Sequence, residues 1–399
     1  MRQFIRGSER ERFIMELFQQ FERLFETKPS LRAVAPGRVN LIGEHTDYND
    51  GFVMPIAIQY AITILAGPRN DGQIHLYSAD FEQKTTFDAA GPIERDPRCQ
   101  WSNYERGVVS EYLKRGHVPR GANLLIQGNI PMASGLSSSA AIEVATAVAL
   151  RSMNGFAIDD LNLVKLCQKA ENDFVGMKCG IMDQFISCLG KAGHALFLDC
   201  RSLDFQLTLF PSDLYSVVIL NTKMKRELTG SEYNERRSQC EEGVRLLRKA
   251  LPGIRALRDV SMEEFEKHAD SLPELVARRC RHVVSENQRV LDFVKALPRS
   301  DEATIGRLLL DSHESLKDLY EVSCSELDLM VEIAMSVPGV IGARMTGAGF
   351  GGCAIAVVKK GNEEALKSKV MENYPKKTGI EPEVYVSSPS DGAKVDVLE

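Results

Sequence analysis

Glu44-His45-Thr46-Asp47-Tyr48-Asn49 sets six polar or aromatic side chains in a row where the strand-like segment Arg38–Ile42 ends. Carboxylates accept hydrogen bonds from hydroxyls and imidazole can donate or accept, so Glu44, His45 and Asp47 suit a polyol; they could equally ligate a metal. A solvated turn around Asn49-Asp50-Gly51 would use the same residue types. A second segment, PMASGLSSSA at Pro131–Ala140, lies between a strand and a helix. Gly135 lets a ligand approach the main chain. The free N–H groups and dipole of a helix start favour an anion such as phosphate. The hydroxyls of Ser137, Ser138 and Ser139 add donors, or an oxygen for Mg²⁺. Serines here also serve as ordinary helix caps.

Two carboxylates sit on apolar surroundings. Glu171 shares a helical stripe with Val164, Cys167 and Phe174, and a carboxylate placed there needs a cation or a donor. Asp183 follows Gly180 amid Ile181, Met182, Phe185 and Ile186. A partly exposed helix border, or for Asp183 a cap at a short helix start, explains them as well. The late segment Thr346–Gly352 contains GxGxxG at Gly347, Gly349 and Gly352. It precedes a strand, not a helix, so it is no dinucleotide fingerprint. It reads as a connection that brings N–H groups to a ligand or another loop, or as a tight turn between strands. There is no GxxxxGK[ST], HRD or DFG, so any ATP must be held by a different loop.

The elements that must carry these groups follow from apolar spacing. Phe13 to Phe25 repeat at helical intervals up to Pro29-Ser30. Strands are expected at Leu31–Ala35, Arg38–Ile42, Phe52–Ala66, Ile74–Ala79 and Ala122–Gln127, several separated by turn signals such as Pro36-Gly37. Helices are expected at Ser138–Leu150 and Asp159–Phe174, and strands at Ala195–Cys200 and Ser216–Asn221. After Pro211 come long charged helices at Glu232–Leu251, Glu274–Leu297, Ala303–Tyr320 and Glu326–Ser336. Strands Val340–Met345 and Cys353–Val358, helix Glu363–Glu372 and strand Glu383–Ser387 close the pattern. Strands and helices mixed without regular βαβ units indicate α+β layers, with a boundary near residue 211.

Composition bounds the partners. The 399 residues carry net charge −6, with 44% hydrophobic and 26% charged residues, ordinary for a globular protein of two to three domains. The mildly acidic balance argues against a nucleic-acid surface. Nine cysteines, an odd number with no CxxC pair, disfavour a zinc ribbon or disulfide framework and suit reduced thiols in the cytoplasm. Met1–Arg12, with Arg2, Arg6, Arg10 and Arg12 and no apolar run behind them, does not read as a signal peptide, and the most apolar helical stretch, Ala140–Leu150, is too short to span a bilayer.

Taken together the segments resemble the galactokinase family of the GHMP small-molecule kinase superfamily. GRVNLIGEHTDYNDG at Gly37–Gly51 is similar to the galactokinase signature, PMASGLSSSA to the superfamily phosphate loop, and RMTGAGFGGC at Arg344–Cys353 to its third motif. Gly176–Phe185, Ser231–Tyr233 and Tyr320–Cys324 add to the likeness, which runs in family order from about residue 30 to Asp391–Lys394. The resemblance implies a two-domain α+β fold. A ribosomal-S5-like domain would span 1–211 and a ferredoxin-like domain 212–399, with the active site in the cleft between them.

It also implies roles. Asp183 matches the base that takes the C1 hydroxyl proton, unless it only orients the sugar, and Arg38 the arginine that steers it. Glu44, His45, Asp47, Gly180 and Tyr233 match sugar contacts. Gly135, Leu136, Ser137, Ser138, Ser139 and Ala140 match the ATP-phosphate loop, and Ser139 with Glu171 the Mg²⁺ ligands. Gly347, Gly349, Gly351 and Gly352 match a loop closing on the site. The implied activity is ATP-dependent phosphorylation of α-D-galactose at C1, the first committed step of the Leloir pathway, by a cytoplasmic monomer without membrane or nucleic-acid partners. A kinase for N-acetylgalactosamine or another hexose, and a non-catalytic galactose sensor, are the competing readings. Two departures from the family pattern are Ala133, where glycine is usual, and Ser325, where proline is common.

Overall fold

The unbroken apolar runs Val217–Leu220 and Cys353–Val358 are buried along their whole length, as expected of strands covered on both faces. In the computed structural model they form the centre of a four-stranded antiparallel sheet. Alternate side chains leave a strand on opposite faces. Val217, Ile219, Cys353, Ile355 and Val357 therefore join one hydrophobic core, and Val218, Leu220, Ala354, Ala356 and Val358 join a second. The structure describes residues 2–131, 134–224 and 229–398, without the side chains of 2–11, 13 and 229–231. Ala133 and the side chain of Ser231 lie outside the described residues.

In chain order the first elements are α1 (Arg2–Phe25), β1 (Leu31–Asn40), β2 (Phe52–Val53), β3 (Pro55–Arg69), β4 (Gln73–Ser78), β5 (Gln83–Asp88), α2 (Asn103–Lys114) and β6 (Gly121–Gly128). Then come α3 (Ser138–Asn154), α4 (Asp160–Lys169), α5 (Met182–Leu189), β7 (His194–Asp199) and β8 (Phe205–Leu209). After Pro211 follow β9 (Tyr215–Asn221), α6 (Thr229–Leu247), α7 (Met262–His268), α8 (Glu274–Ala296), α9 (Glu302–Glu314) and α10 (Ser325–Met335). The last elements are β10 (Val340–Thr346), β11 (Cys353–Lys359), α11 (Glu363–Thr378), β12 (Glu383–Ser387) and β13 (Lys394–Val397). Among the described residues three sheets form, with orders β13-β1-β3-β6-β4-β5, β10-β11-β9-β12 and β2-β7-β8. The final strand returns to pair with β1, Leu31 opposite Val397.

Several expectations are corrected. Leu31–Ala35 and Arg38–Ile42 are one strand that ends at Asn40; Pro36-Gly37 is not a turn but a register shift between Pro36 and Arg38 opposite β3. Proline is tolerated at such bulges because it has no N–H to lose. Phe52–Ala66 divides at Met54, so that β2 pairs with β7 while β3 joins the six-stranded sheet. The helices expected at Asp159–Phe174 and Ala303–Tyr320 both widen before their ends into π turns, Ala170–Val175 and Ser315–Leu319. The polar strand β5, the edge strand β8, strand β13 and helices α2 and α7 carry weak apolar patterns and were not expected. Ser325 simply begins α10, its hydroxyl 3.0 Å from Glu326.

Candidate active site

The bulge in β1 brings its main chain against the serine–glycine loop. Arg38 N–H donates to the Leu136 carbonyl at 3.0 Å, and a Cβ on Gly37 would stand 2.5 Å from that same oxygen. Only glycine permits this approach. The buried Arg38 side chain then points at α5. Its Nε and Nη2 donate to the two oxygens of Asp183, each at 2.8 Å, and Nη1 donates to the Gly135 carbonyl at 2.6 Å. Burial alone would lower the Arg38 pKa, but the charges of Asp183 and Glu44 outweigh it and hold the guanidinium above its ordinary value.

The serine run does not cap its helix. Ser137 takes the position before α3 with φ 60° and makes no side-chain cap; its hydroxyl donates to Asp183 Oδ2 instead. Asp183 is likewise no cap, being inside the first turn of α5 with its oxygens turned to Arg38 and Ser137. The first N–H groups of α3 thus lack the usual serine acceptor and face the cleft with their dipole.

The turn after β1 is built around Glu44. The buried carboxylate accepts from Asn40 Nδ2 and from the Gly347 N–H, both at 2.6 Å, with Arg344 Nη1 3.6 Å away. Arg344 is fully buried and donates to the carbonyls of Asn40 and Leu41, both at 3.1 Å. His45 adopts φ 61°. Its Nε2 meets the Ala348 carbonyl at 3.2 Å, which can only accept, so Nε2 carries the proton. Nδ1 therefore accepts from Tyr48 Oη at 2.7 Å; Tyr48 accepts from Tyr320 at 2.8 Å, and Tyr320 from the Cys240 thiol at 3.2 Å. Burial and the nearby His282 push His45 down to about 3, so it stays neutral. Both ring nitrogens are thus taken by protein groups.

Asp47 and Gly180 touch. A Cβ on Gly180 would lie 1.8 Å from Asp47 Oδ2, so the carboxylate occupies the space a side chain would fill. Burial, and then the charge of Asp183, push the Asp47 carboxyl up to about 7. The Tyr233 ring stands 5.5 Å from His45 and 5.2 Å from Tyr48, closing this side.

Glu171 lies in the π turn after α4, an irregularity frequent at functional sites. It is buried, accepts from Gln184 Nε2 at 2.6 Å and has the Cys179 thiol at 3.4 Å. Burial first and Asp183 second raise it to about 7, while the adjacent Ser139 hydroxyl lowers it. The same Gln184 nitrogen reaches the fully buried Glu143 at 3.1 Å. The donor set near the serine–glycine loop is therefore oxygen-only, Glu171 with Ser139. Among the described residues no group of three or more His, Cys, Asp or Glu could hold a metal by itself. An oxygen-only pair such as Glu171 with Ser139 suits Mg²⁺, which is commonly held by one or two carboxylates plus substrate phosphates and waters.

One cleft of about 220 Å³ collects most of the expected residues: Arg38, Glu44, His45, Asp47, Gly135 to Ser139, Glu171, Gly180, Asp183, Tyr233 and Gly347. Ala140, Gly349, Gly351 and Gly352 do not line it. The loop after Gly347 is instead anchored behind it: Phe350 N–H donates to the Val322 carbonyl at 2.6 Å, and Thr222 donates to the Gly352 carbonyl at 2.7 Å.

Comparison with known proteins decides the family. Residues 19–68 match the galactokinase galactose-binding signature, residues 103–191 the GHMP kinases N terminal domain and residues 293–376 the GHMP kinases C terminal domain. Over 94% of its length the chain is 45% identical to a galactokinase of Roseiflexus sp. (strain RS-1), covering 96% of that protein. It is 44% identical to the galactokinase of Pasteurella multocida (strain Pm70), covering 99% of it. The crystal structure of Lactococcus lactis galactokinase complexed with galactose matches with a TM-score of 0.91 at 39% identity, over 96% of this chain and 99% of that one. The chain belongs to the galactokinase family.

Its fold is accordingly the two-domain α+β fold of the GHMP kinases. A Methanococcus jannaschii mevalonate kinase shares that fold with a TM-score of 0.64 at 19% identity, over 90% of this chain and 98% of its own. Glu143 and His282 also sit in this site's surroundings and read in the sequence only as helix residues; Asn40, Arg344, Thr346, Gln184 and Tyr320 fell inside the resembling segments but without a role. Pairing across the fold reveals what they do: Gln184 reaches Glu143, 41 residues away, His282 meets the Glu44 carbonyl, 238 away, and Arg344 the Asn40 carbonyl, 304 away.

Proposed function

We propose that this chain transfers the γ-phosphoryl group of ATP to the C1 hydroxyl of α-D-galactose, giving galactose 1-phosphate and ADP. The observation that carries the reading is the paired fork of Arg38 on Asp183, which stands between the signature carboxylates and the start of α3. Glu44 and Asp47 accept from sugar hydroxyls, with Gly180 and Tyr233 shaping the pocket. The α3 N-terminus, with the main chain of Gly135–Ser139 and the Ser138 hydroxyl, receives the phosphates. Asp183 takes the proton of the attacking hydroxyl while Arg38 and Ser137 hold it in line, and Arg38 spreads the developing charge. Ser139 and Glu171 would hold Mg²⁺, which neutralises phosphate charge when bound.

The nine cysteines are all free thiols, which supports a reducing, cytoplasmic setting. No described helix is long and apolar enough to cross a membrane. We assign residues 1–211 and 212–399 to the two domains, with β13 returning to the first sheet. The continuous loop Gly135–Ser139, with Arg38 and Asp183 engaged, supports an enzyme over a sensor. ATP consumption measured over galactose, glucose, mannose, N-acetylgalactosamine and arabinose tests this. Turnover should be greatest with galactose; binding of galactose without turnover of any sugar would make the chain a sensor.

A further inference from the structure

Helix α8 contributes no side chain to the cleft, yet it holds the turn that carries Glu44. The fully buried Glu286 accepts through Oε1 from the Gly43 N–H at 2.9 Å and the Glu44 N–H at 3.4 Å. The same oxygen takes the Ser312 hydroxyl at 2.7 Å, and Oε2 takes Arg289 Nε at 2.6 Å. His282, four residues earlier and so on the same helix face, meets the Glu44 carbonyl through Nε2 at 3.1 Å. That carbonyl only accepts, so Nε2–H donates, and Nδ1 accepts from Ser315 Oγ at 2.8 Å. Asn287 accepts from the Phe52 N–H at 2.9 Å, just beyond the turn.

Both main-chain polar groups of Glu44 are thus bound by one helix whose residues lie 238 and 242 positions away in sequence. Its carboxylate is fixed separately by Asn40 and Gly347. We propose that His282, Glu286 and Asn287 are positioning residues of the sugar subsite, setting where the Glu44 carboxylate stands. The inference rests on the reading of Glu44 as a sugar contact. Burying Glu286 for stability alone would be a poor use of a charge, since desolvation offsets much of the attraction to Arg289 and Arg344. Holding two consecutive N–H groups of a loop in one geometry is what a buried carboxylate does well. A main-chain shift of about 1 Å in such a site can cost about 100-fold in function.

The test uses the full chain with His282→Leu, His282→Gln and Asn287→Ala. Glu286 itself is left intact, because its removal would strand Arg289 and Arg344. Calorimetry with D-galactose and, separately, with ADP reads each subsite, and circular dichroism confirms folding. His282→Leu and Asn287→Ala should each weaken galactose binding about tenfold while ADP binding stays within about twofold. His282→Gln, whose amide nitrogen can take the place of Nε2, should recover galactose affinity to within about threefold of the parent. Unchanged galactose affinity in His282→Leu, a parallel loss of both ligands, or a Gln variant no better than Leu would overturn the inference alone. A parent chain that binds no galactose would overturn the sugar-site reading and this inference with it.

Discussion

Arg38 and Asp183 meet through two parallel hydrogen bonds, both 2.8 Å, while the third arm of the same guanidinium holds the Gly135 carbonyl at 2.6 Å. One side chain therefore fixes the candidate base and the proposed phosphate loop relative to each other. Lysine offers a single point charge and cannot make this fork. Arg38→Lys should lower kcat by about 100-fold or more through misplacement of Asp183, with galactose KM nearly unchanged. Steady-state kinetics check this, and a kcat within tenfold of the parent would contradict it.

Gly180 leaves the space that Asp47 fills. Alanine there would put a methyl group 1.8 Å from Asp47 Oδ2 in the present geometry, so the carboxylate must move. Gly180→Ala should weaken galactose binding about tenfold or more and leave ADP binding intact, as read by calorimetry. Equal galactose affinity would show that Asp47 does not hold the sugar.

Asp47 also makes stability depend on pH. Its carboxyl rises from the ordinary 3.8 to about 7 in the folded chain, through burial and the charge of Asp183. Between those values the folded chain keeps a proton that the unfolded chain has released. Stability from this group is therefore lost as pH climbs from about 4 to about 7. Asp47→Asn removes the cost. Its Tm should exceed that of the parent by roughly 1–3 °C at pH 8, and the gap should close toward pH 4. Melting curves over that range check it; a gap independent of pH would contradict the assignment. The same variant should bind galactose more weakly.

The sequence made the reactive groups legible where chemistry demands a fixed order of types. Gly37–Gly51, Gly135–Ser139 and Asp183 converge on one cleft as the motifs implied. Long apolar runs such as Val217–Leu220 and Cys353–Val358 were legible as strands because burial on both faces leaves no alternation. What escaped depends on partners distant in sequence. Pro36-Gly37 has the residues of a turn but becomes a bulge, since β3 and Leu136 bind the strand on either side. The π turn at Glu171 obeys no local rule, because it is tertiary contact that makes that carboxylate face Gln184 and Ser139. His282 and Glu286 sit on an ordinary amphipathic helix, and nothing in its periodicity distinguishes a polar residue that meets solvent from one that grips Glu44.

Phosphorus NMR of the chain with MgATP and galactose, beside Asp183→Ala, tests the central claim most directly. The parent should convert galactose to its 1-phosphate with one ADP formed for each sugar. Asp183→Ala should bind galactose and form no detectable sugar phosphate. A parent chain that yields no galactose 1-phosphate, or an Asp183→Ala chain that turns over at a rate comparable to the parent, would contradict the account.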